Sequence, residues 1–482
     1  MYLTFAVQYN YTLDLNLLLK TLNTTVAKQA KLIKSLMAQI GALSQMIIAL
    51  NKHLLALQSE NAELKNKKNS NNSHIPPSQD QNRPKANQSL RVSSGKKVGG
   101  QPGHEVSTLE CSSKVDEIIK HIPTNCSHCG NDLVGQSEVL VGTRQLLDIP
   151  PIVMKCIEHQ LYKKQCSCGH TMQGSFPEHV ACAVQYGPNV ETLVSYLHAR
   201  QYLPYNRMQE FLKDVMGLPI STGGIYNILQ PMTKKATPMY DQIKAKIEQA
   251  TYVGADETGV NINGKNHWAW TWQNHKLTYI VCAESRGFKA IEDAFSNGLP
   301  NAVLVHDRYA CHFKMIVKAH QICCAHLLRD LNYINEVYKD KCTWAKDFKT
   351  MLLEALQLKK ELTNTDYHYH NNKREALFEK LYQYLKFPIE EQFEKSKTLQ
   401  KKLLAKRDCI LYFLRKANVP SDNNGSERAI RNIKVKQKIS GQFKSLENAN
   451  VFAILRSVID TTIKSGNNVL NALHLIATFG TE

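Results

Sequence analysis

The sequence predicts a multidomain α+β protein. Three observations predict it: leucines that recur every seven residues near the start, two matched cysteine pairs between residues 126 and 168, and short apolar strands after residue 250 that end on aspartates. At 482 residues the chain is long for one domain, and at roughly 150 residues per domain it has room for about three. Hydrophobic residues make up 43% and charged residues 21%, a composition that builds packed cores and excludes wholesale disorder. Lys and Arg number 60 against 42 Asp and Glu, leaving a net charge of +18. A surplus of that size points to a polyanionic partner, with nucleic acid first among them. The alternative is a merely basic surface, so the position of the charge matters.

Thirteen cysteines is an odd count, which argues against a disulfide framework. Met1 to Leu19 has no basic leader, and Asp14 and Asn16 interrupt its apolar run, so no secretory signal is expected. No 18 consecutive apolar residues occur, so no membrane span is expected. The expected setting is a reducing cytosol, where paired cysteines are first tested as metal ligands.

The first element is a helix with heptads. Leu36, Leu43, Leu50, Leu57 and Leu64 occupy d positions, and Ile33, Ile40, Ile47, Leu54 and Asn61 lie three residues ahead of each. β-Branched residues at a with leucine at d favour a parallel two-stranded coiled coil, and the polar Asn61 at a fixes register at a cost in stability. A single amphipathic helix packed on its own protein is the plainer alternative; five unbroken heptads favour self-association. Residues 1–68 are read as this N-terminal segment.

Residues 69–109 form a linker rich in Ser, Asn, Gln, Gly and Pro. From Lys65 to Gly100 there are eight Lys or Arg against one acid, Asp80. Such a stretch buries too little apolar surface to order itself. It reads as a tether with a secondary role on DNA.

Residues 110–175 hold Cys126-Ser-His-Cys129-Gly and Cys166-Ser-Cys168-Gly. Two knuckles, each followed by glycine, suit one tetrahedral structural Zn²⁺ on four thiolates. The second spacing is tighter than the first, and His128, Cys156, His159 and His170 stand close enough in sequence to substitute. Four thiolates leave no open position for catalysis.

Residues 180–240 read as helical and DNA-binding. A helix from Val190 to Leu203 breaks at Pro204; a second runs from Asn206 to Val215; a turn at Met216-Gly-Leu-Pro219 leads to a helix capped by Ser221 and ending at Leu229. That order suits a helix-turn-helix, although any helical hairpin reads the same way. Ser221, Tyr226 and Asn227 either reach base edges or are simply exposed.

Residues 245–445 carry the chemistry. Tyr252 to Thr258, His267 to Trp272 and Lys276 to Ala283 read as an antiparallel meander; Ala302 to Asp307 and His320 to Cys324 follow as two more strands, the last leading into a helix with His326 and Arg329. This is the ribonuclease H-like order, in which the first and fourth strands are neighbours and bring Asp256 beside Asp307. Glu427, in Asp422-Asn-Asn-Gly-Ser-Glu427-Arg428-Ala-Ile-Arg431, supplies a third acid at a helix start. Phosphoryl transfer on DNA uses two Mg²⁺ ions about 3.5–4 Å apart, held by closely set carboxylates. Asp256 is assigned to both ions, and Asp307 and Glu427 to one each, with Mn²⁺ as a substitute metal. Glu257, next in the strand, is expected to point to the other face. From Arg428 to Lys444 there are six basic residues and no acid, so Arg428, Arg431, Lys434, Lys436 and Lys438 are the candidate phosphate contacts. Any one of these acids alone is more often a cap or a surface pair. Three at strand and helix ends, beside a basic run, indicate a metal site. Residues 446–482 complete the chain as a helical region.

These motifs together resemble a transposase of the insertion sequence 66 family along nearly the whole chain. The matching pieces are the coiled coil, NSNNSHIPPSQD, Gly99-Gly-Gln-Pro-Gly-His104 with Thr108-Leu109, the two knuckles, Asp256-Glu-Thr258, His306-Asp307 and the run from Asp422 to Arg431. The resemblance implies that Asp256, Asp307 and Glu427 are an Asp-Asp-Glu triad. It further implies that the enzyme cuts and joins DNA at its element's ends, with target DNA and accessory proteins of the same element as partners, in the bacterial cytoplasm near the nucleoid. The 120 residues between Asp307 and Glu427, charge-rich from Asp340 to Lys416, resemble the family's helical insertion. Two departures stand out: Asn432 replaces an expected proline, and the second knuckle is C-x-C. The competing readings are a DNA-binding regulator without catalysis and a structure-selective nuclease on the same fold.

Overall fold

The computed structural model describes residues 2–65, 109–150 and 152–478. The basic linker, with NSNNSHIPPSQD and the motif ending at His104, falls outside the described residues. Two compact units are distinguishable. One comprises the described residues of Pro84–Gln185 with Tyr205–Asn227; the other comprises those of Met1–Arg83 with Tyr186–Pro204 and Ile228–Glu482.

Helix α1 spans Tyr2–Lys65, well beyond the heptads that predict it. Ile33, Leu36, Ile40, Leu43, Ile47, Leu50, Leu54 and Leu57 are all exposed, and Leu15, Leu19, Leu22 and Val26 continue the stripe toward the N-terminus. Among the described residues this apolar stripe stays exposed along its length. By length and composition Leu15–Ala62 is long and apolar enough to cross a membrane. No charge falls between Lys34 and Lys52, although Ser, Gln and Gly break the consecutive apolar run.

In the knuckle-bearing unit, β1 (Lys163–Gln165) and β2 (Thr171–Gln173) pair antiparallel, Lys163 facing Gln173. Their turn is the second knuckle. The first sits inside a matching bridge between Asn125 and Asp132.

Helix α2 (Pro188–Ser195) runs into a π-helical turn at Tyr196–Arg200, where a single α-helix is expected to Leu203. Arg456 Nη1 donates to Ala199 O at 3.0 Å, and Lys436 Nζ to Leu203 O at 3.0 Å and Tyr202 O at 3.4 Å, so buried cations take carbonyls that a regular helix end leaves unpaired. Helix α3 (Tyr205–Met216) closes at Gly217, whose φ of +63° is left-handed, with Leu218 N–H returning to Leu212 O at 3.0 Å. Ser221 Oγ accepts from Gly224 N at 2.9 Å, as a cap for α4 (Thr222–Glu248). That helix does not stop at Leu229. It continues through Pro231 and Pro238, because Met232, Ala236, Tyr240, Ile243 and Ile247 keep one buried face whose packing outweighs two missing backbone hydrogen bonds.

The second unit is organised by a five-stranded sheet in the order β5-β4-β3-β6-β7. Strands β3 (Tyr252–Ile262), β4 (Lys265–Gln273) and β5 (Thr278–Ala283) form an antiparallel meander. Asn263 and Gly264, both at positive φ, make the two-residue hairpin between β3 and β4. Strand β5 begins at Thr278 rather than Lys276, since Asn274 Oδ1 holds the Lys276 and Leu277 amides in a turn at 2.9 Å each. After α5 (Phe288–Ala294), β6 (Leu299–His306) pairs parallel with β3, and β7 (Val317–Ile322) pairs parallel with β6. Ala302 to His306 are all buried, the unbroken run expected of an interior parallel strand.

Helix α6 (Cys324–Val337) follows, then α7 (Thr343–Glu361), α8 (Asn372–Lys386) and α9 (Glu394–Leu404). They share one core with the sheet, through Val303, Val305 and Ile322 packed with Leu327, Trp344, Phe348, Leu381 and Phe413. Helix α10 (Asn424–Ser440), α11 (Leu446–Lys464) and α12 (Val469–Thr478) complete the chain. Side chains of α11 seal the edge of β5: Asn450, Ser457 and Thr461 accept from the amides of Cys282, Ile280 and Thr278 at 3.0–3.1 Å. An open strand edge is thereby satisfied without another strand.

Candidate active site

Parallel pairing of β3 with β6 sets Gly254 opposite Val305. Asp256 lies two residues beyond the first and Asp307 two beyond the second, so both acids leave neighbouring strands at one level. Asp256 Oδ1 accepts from Glu257 N at 3.0 Å, and Asp307 Oδ1 from Tyr309 N at 2.8 Å. Burial pushes the Asp256 carboxyl well above the usual carboxylate range, and the negative charges of Glu257, Asp307 and Glu427 push it further. The three acids read from the sequence therefore stand within electrostatic reach of one another.

Glu427 is brought there by the loop before it. Asn423 is 1% exposed; its Nδ2 donates to Ala255 O at 2.7 Å, while its Oδ1 accepts from Ser426 Oγ at 2.6 Å. The Asn423 amide meets Cys323 Sγ at 3.2 Å, and Ser421 O accepts from Cys324 N at 2.9 Å. The loop is thus fastened to β3 on one side and to the start of α6 on the other. Close approach explains a glycine: a Cβ on Gly254 would lie 2.7 Å from both Gln273 Nε2 and Ser426 Oγ. The locking role of Asn423 has no sequence signal beyond its place in the Asp422–Arg431 run.

Around Glu427, His326 Nε2 and Arg329 Nη2 of α6 stand 3.7 and 3.9 Å from Oε1, within ion-pair range. Among the described residues no hydrogen-bond donor meets that oxygen, although it is buried. Glu257, by contrast, is fully engaged. Its side chain is 1% exposed and meets Arg286 Nη2 at 2.7 Å and His312 Nε2 at 3.0 Å. Burial would raise its pKa; His312 and Arg286 outweigh that and hold it below the usual range.

The basic residues of α10 divide sharply. Arg428, Arg431 and Lys438 are exposed. Lys434 is half-buried with its ammonium on Gly259 O. Lys436 is 3% exposed, turned inward to His198, Tyr202 and Leu203, and burial lowers its pKa to about 7. A phosphate contact is expected at Lys436 from sequence alone; its inward packing replaces that role. Asn432, the departure from the resembled pattern, joins the same buried layer: Tyr202 Oη donates to its Oδ1 at 2.8 Å, and its Nδ2 to Asp460 Oδ2 at 3.3 Å.

Among the described residues, no three His, Cys, Asp or Glu side chains close into a preformed metal cage. The donor set nevertheless fits a hard divalent cation. It is all oxygen, and at Glu427 it holds a buried carboxylate oxygen with no hydrogen-bond donor among the described residues.

The two knuckles share one design. Cys126 N donates to Asn131 O at 2.8 Å and Gly130 N to Cys126 O at 2.9 Å; Cys166 N donates to His170 O at 2.7 Å and Gly169 N to Cys166 O at 2.9 Å. Gly130 and Gly169 have φ of +80° and +86°, which only glycine adopts freely. The His128 and Cys129 amides lower the Cys126 thiol pKa, and the Cys168 amide does so for Cys166. Such amides stabilise thiolate, the zinc-binding form. Cys126 is half-buried; Cys129, Cys166 and Cys168 are exposed.

A family model described as the zinc-finger binding domain of transposase IS66 matches residues 123–169, which include all four cysteines. No curated protein matches the chain. A second family model, described as the transposase IS66 family, matches residues 183–451, more than half of the sequence and both strands and the helix that carry the three acids. The chain belongs to the transposase IS66 family.

Proposed function

We propose that this transposase binds the ends of its own element, cleaves them in a Mg²⁺-dependent reaction and joins the freed 3′ ends to target DNA. The observation that carries the reading is the convergence of Asp256, Asp307 and Glu427 from two adjacent strands and a helix start, on the strand order of a ribonuclease H-like domain. Asp256, Asp307 and Glu427 would hold the divalent cations, which when bound supply Lewis acidity at the phosphate and a more nucleophilic attacking oxygen. The chain's own groups do the rest. Asn423 keeps the helix of Glu427 against the strand of Asp256. Arg428, Arg431 and Lys438, exposed on α10, meet the DNA backbone. The four knuckle cysteines hold one structural Zn²⁺, and residues 205–227 form the helical element offered to DNA.

The α1 stripe is covered in this reading by a second copy of α1, as a parallel coiled coil, rather than by lipid. A dimer suits an enzyme that must hold two DNA ends at once. The test is direct. Labelled element ends with Mg²⁺ should give cleaved and joined products; binding alone would indicate a regulator, and cleavage without joining a nuclease.

A further inference from the structure

Arg286 lies between β5 and α5. Its guanidinium carbon sits 4.1 Å from the ring centre of Tyr309 and 4.8 Å from that of Trp268. Its Nε and Nη2 donate to Glu257 Oε1 at 3.0 and 2.7 Å, while the second Glu257 oxygen takes His312 Nε2 at 3.0 Å. Tyr309 ties this assembly to the acids: its hydroxyl donates to Arg286 O at 2.9 Å and its amide to Asp307 Oδ1 at 2.8 Å.

The asymmetry of the pair is informative. Glu257 is 1% exposed, whereas the Arg286 side chain is 44% exposed. An ordinary surface ion pair leaves both partners in water and contributes little. Here the carboxylate is withdrawn from solvent, given a second donor, and used to grip one edge of the guanidinium between two rings. Arginine carries five N–H groups in a rigid fork, and among the described residues no second acceptor meets this one. An arginine fixed in orientation loses little conformational freedom on binding, and its fork matches the paired oxygens of a phosphate.

We propose that Arg286 binds a backbone phosphate of the element end next to the cleaved one, with Glu257, Trp268 and Tyr309 as its positioning residues. This rests on reading Asp256, Asp307 and Glu427 as the transposase site. Through Tyr309, the phosphate held by Arg286 is kept in register with Asp307.

Methylphosphonate scanning tests it with the full-length protein. Single uncharged linkages are placed around the cleavage position of an element end, and in separate substrates around the target site. Wild-type protein should lose roughly 10- to 100-fold in cleavage rate at a linkage contacted by Arg286. Arg286→Ala should be slower by a similar factor on unmodified DNA, show no further loss at that linkage, and keep its sensitivity elsewhere. Arg286→Lys, which keeps charge without the fork, should fall between. Glu257→Gln should share the alanine variant's signature, and the double variant should be little worse. A cooperative thermal unfolding transition shows that the variants fold. An Arg286→Ala protein that loses the same extra factor at every linkage overturns the proposal, as does interference confined to target DNA. Wild-type protein that cuts no element end instead removes the transposase reading itself.

Discussion

The Asn423 carboxamide nitrogen donates at 2.7 Å to the carbonyl oxygen of Ala255, the residue that precedes Asp256. One buried hydrogen bond thus links the loop that starts the Glu427 helix to the strand of the first acid. Losing a buried side-chain partner costs about 1–3 kcal/mol, and small displacements of reacting groups cost about 100-fold in rate. Asn423→Ala should therefore lower cleavage far more than it lowers binding to DNA ends. Equal losses in both, tracked by gel shift and product formation, would show that the contact serves stability alone.

The triad prediction is sharper. Glu427→Gln keeps size and removes charge, so cleavage should fall by orders of magnitude while end binding persists. Asp256→Asn and Asp307→Asn should behave alike, and double variants should be little worse than singles because the three act as a unit. Near-wild-type cleavage by Glu427→Gln would sink the assignment.

The Asp256 carboxyl adds a pH test. Its pKa is raised in the folded protein by burial and by neighbouring acids, so its contribution is present at low pH and is lost as pH rises through the folded value. Metal-free protein should melt at lower temperature as pH increases through that window, and Asp256→Asn should flatten the trend. Mg²⁺ should raise the melting temperature of wild type and leave Asp256→Asn nearly unmoved. An equal Mg²⁺ response in both would place the cation elsewhere.

The knuckles should bind about one zinc per chain, as a closed four-thiolate site does. Elemental analysis measures it directly. Cys126→Ser or Cys168→Ser should abolish it, and native protein whose four thiols alkylate freely without releasing metal would contradict the assignment.

What the sequence made legible follows from what repeats or alternates. The apolar strands that carry Asp256 and lead to Asp307 are legible in the sequence, although β3 continues past Asp256 to Ile262, and adjacency of the first and fourth strands follows from connection order. The long helix was visible only where isoleucine and leucine alternated strictly; the looser Leu15, Leu19, Leu22 and Val26 gave no comparable signal. Asn263-Gly264 is a hairpin turn legible from its residue types alone. Other features could not be read locally. Whether a lysine on α10 faces DNA or packs inward depends on which face of the helix meets the π-helical turn at 196–200, more than 200 residues earlier. Likewise, Glu257 sits one residue from Asp256, yet its partners come from positions 286 and 312.

Lys436 and Arg431 turn that last distinction into a measurement. A cation on phosphate releases counterions, so removing one real contact reduces the slope of log affinity against log salt by about 1. Arg431 is exposed, and Arg431→Ala should show that reduction. Lys436 is buried against His198, Tyr202 and Leu203, so Lys436→Met should leave the slope unchanged. Stability should report the lysine instead. Its folded pKa of about 7 lies below the ordinary lysine value of 10.5, so over that interval the unfolded chain binds a proton that the folded one does not. Wild-type stability should therefore fall as pH drops from about 10 toward 7, and Lys436→Met should lose that part of the dependence. A Lys436→Met protein with an altered salt slope and an unchanged pH profile would return this residue to the DNA interface.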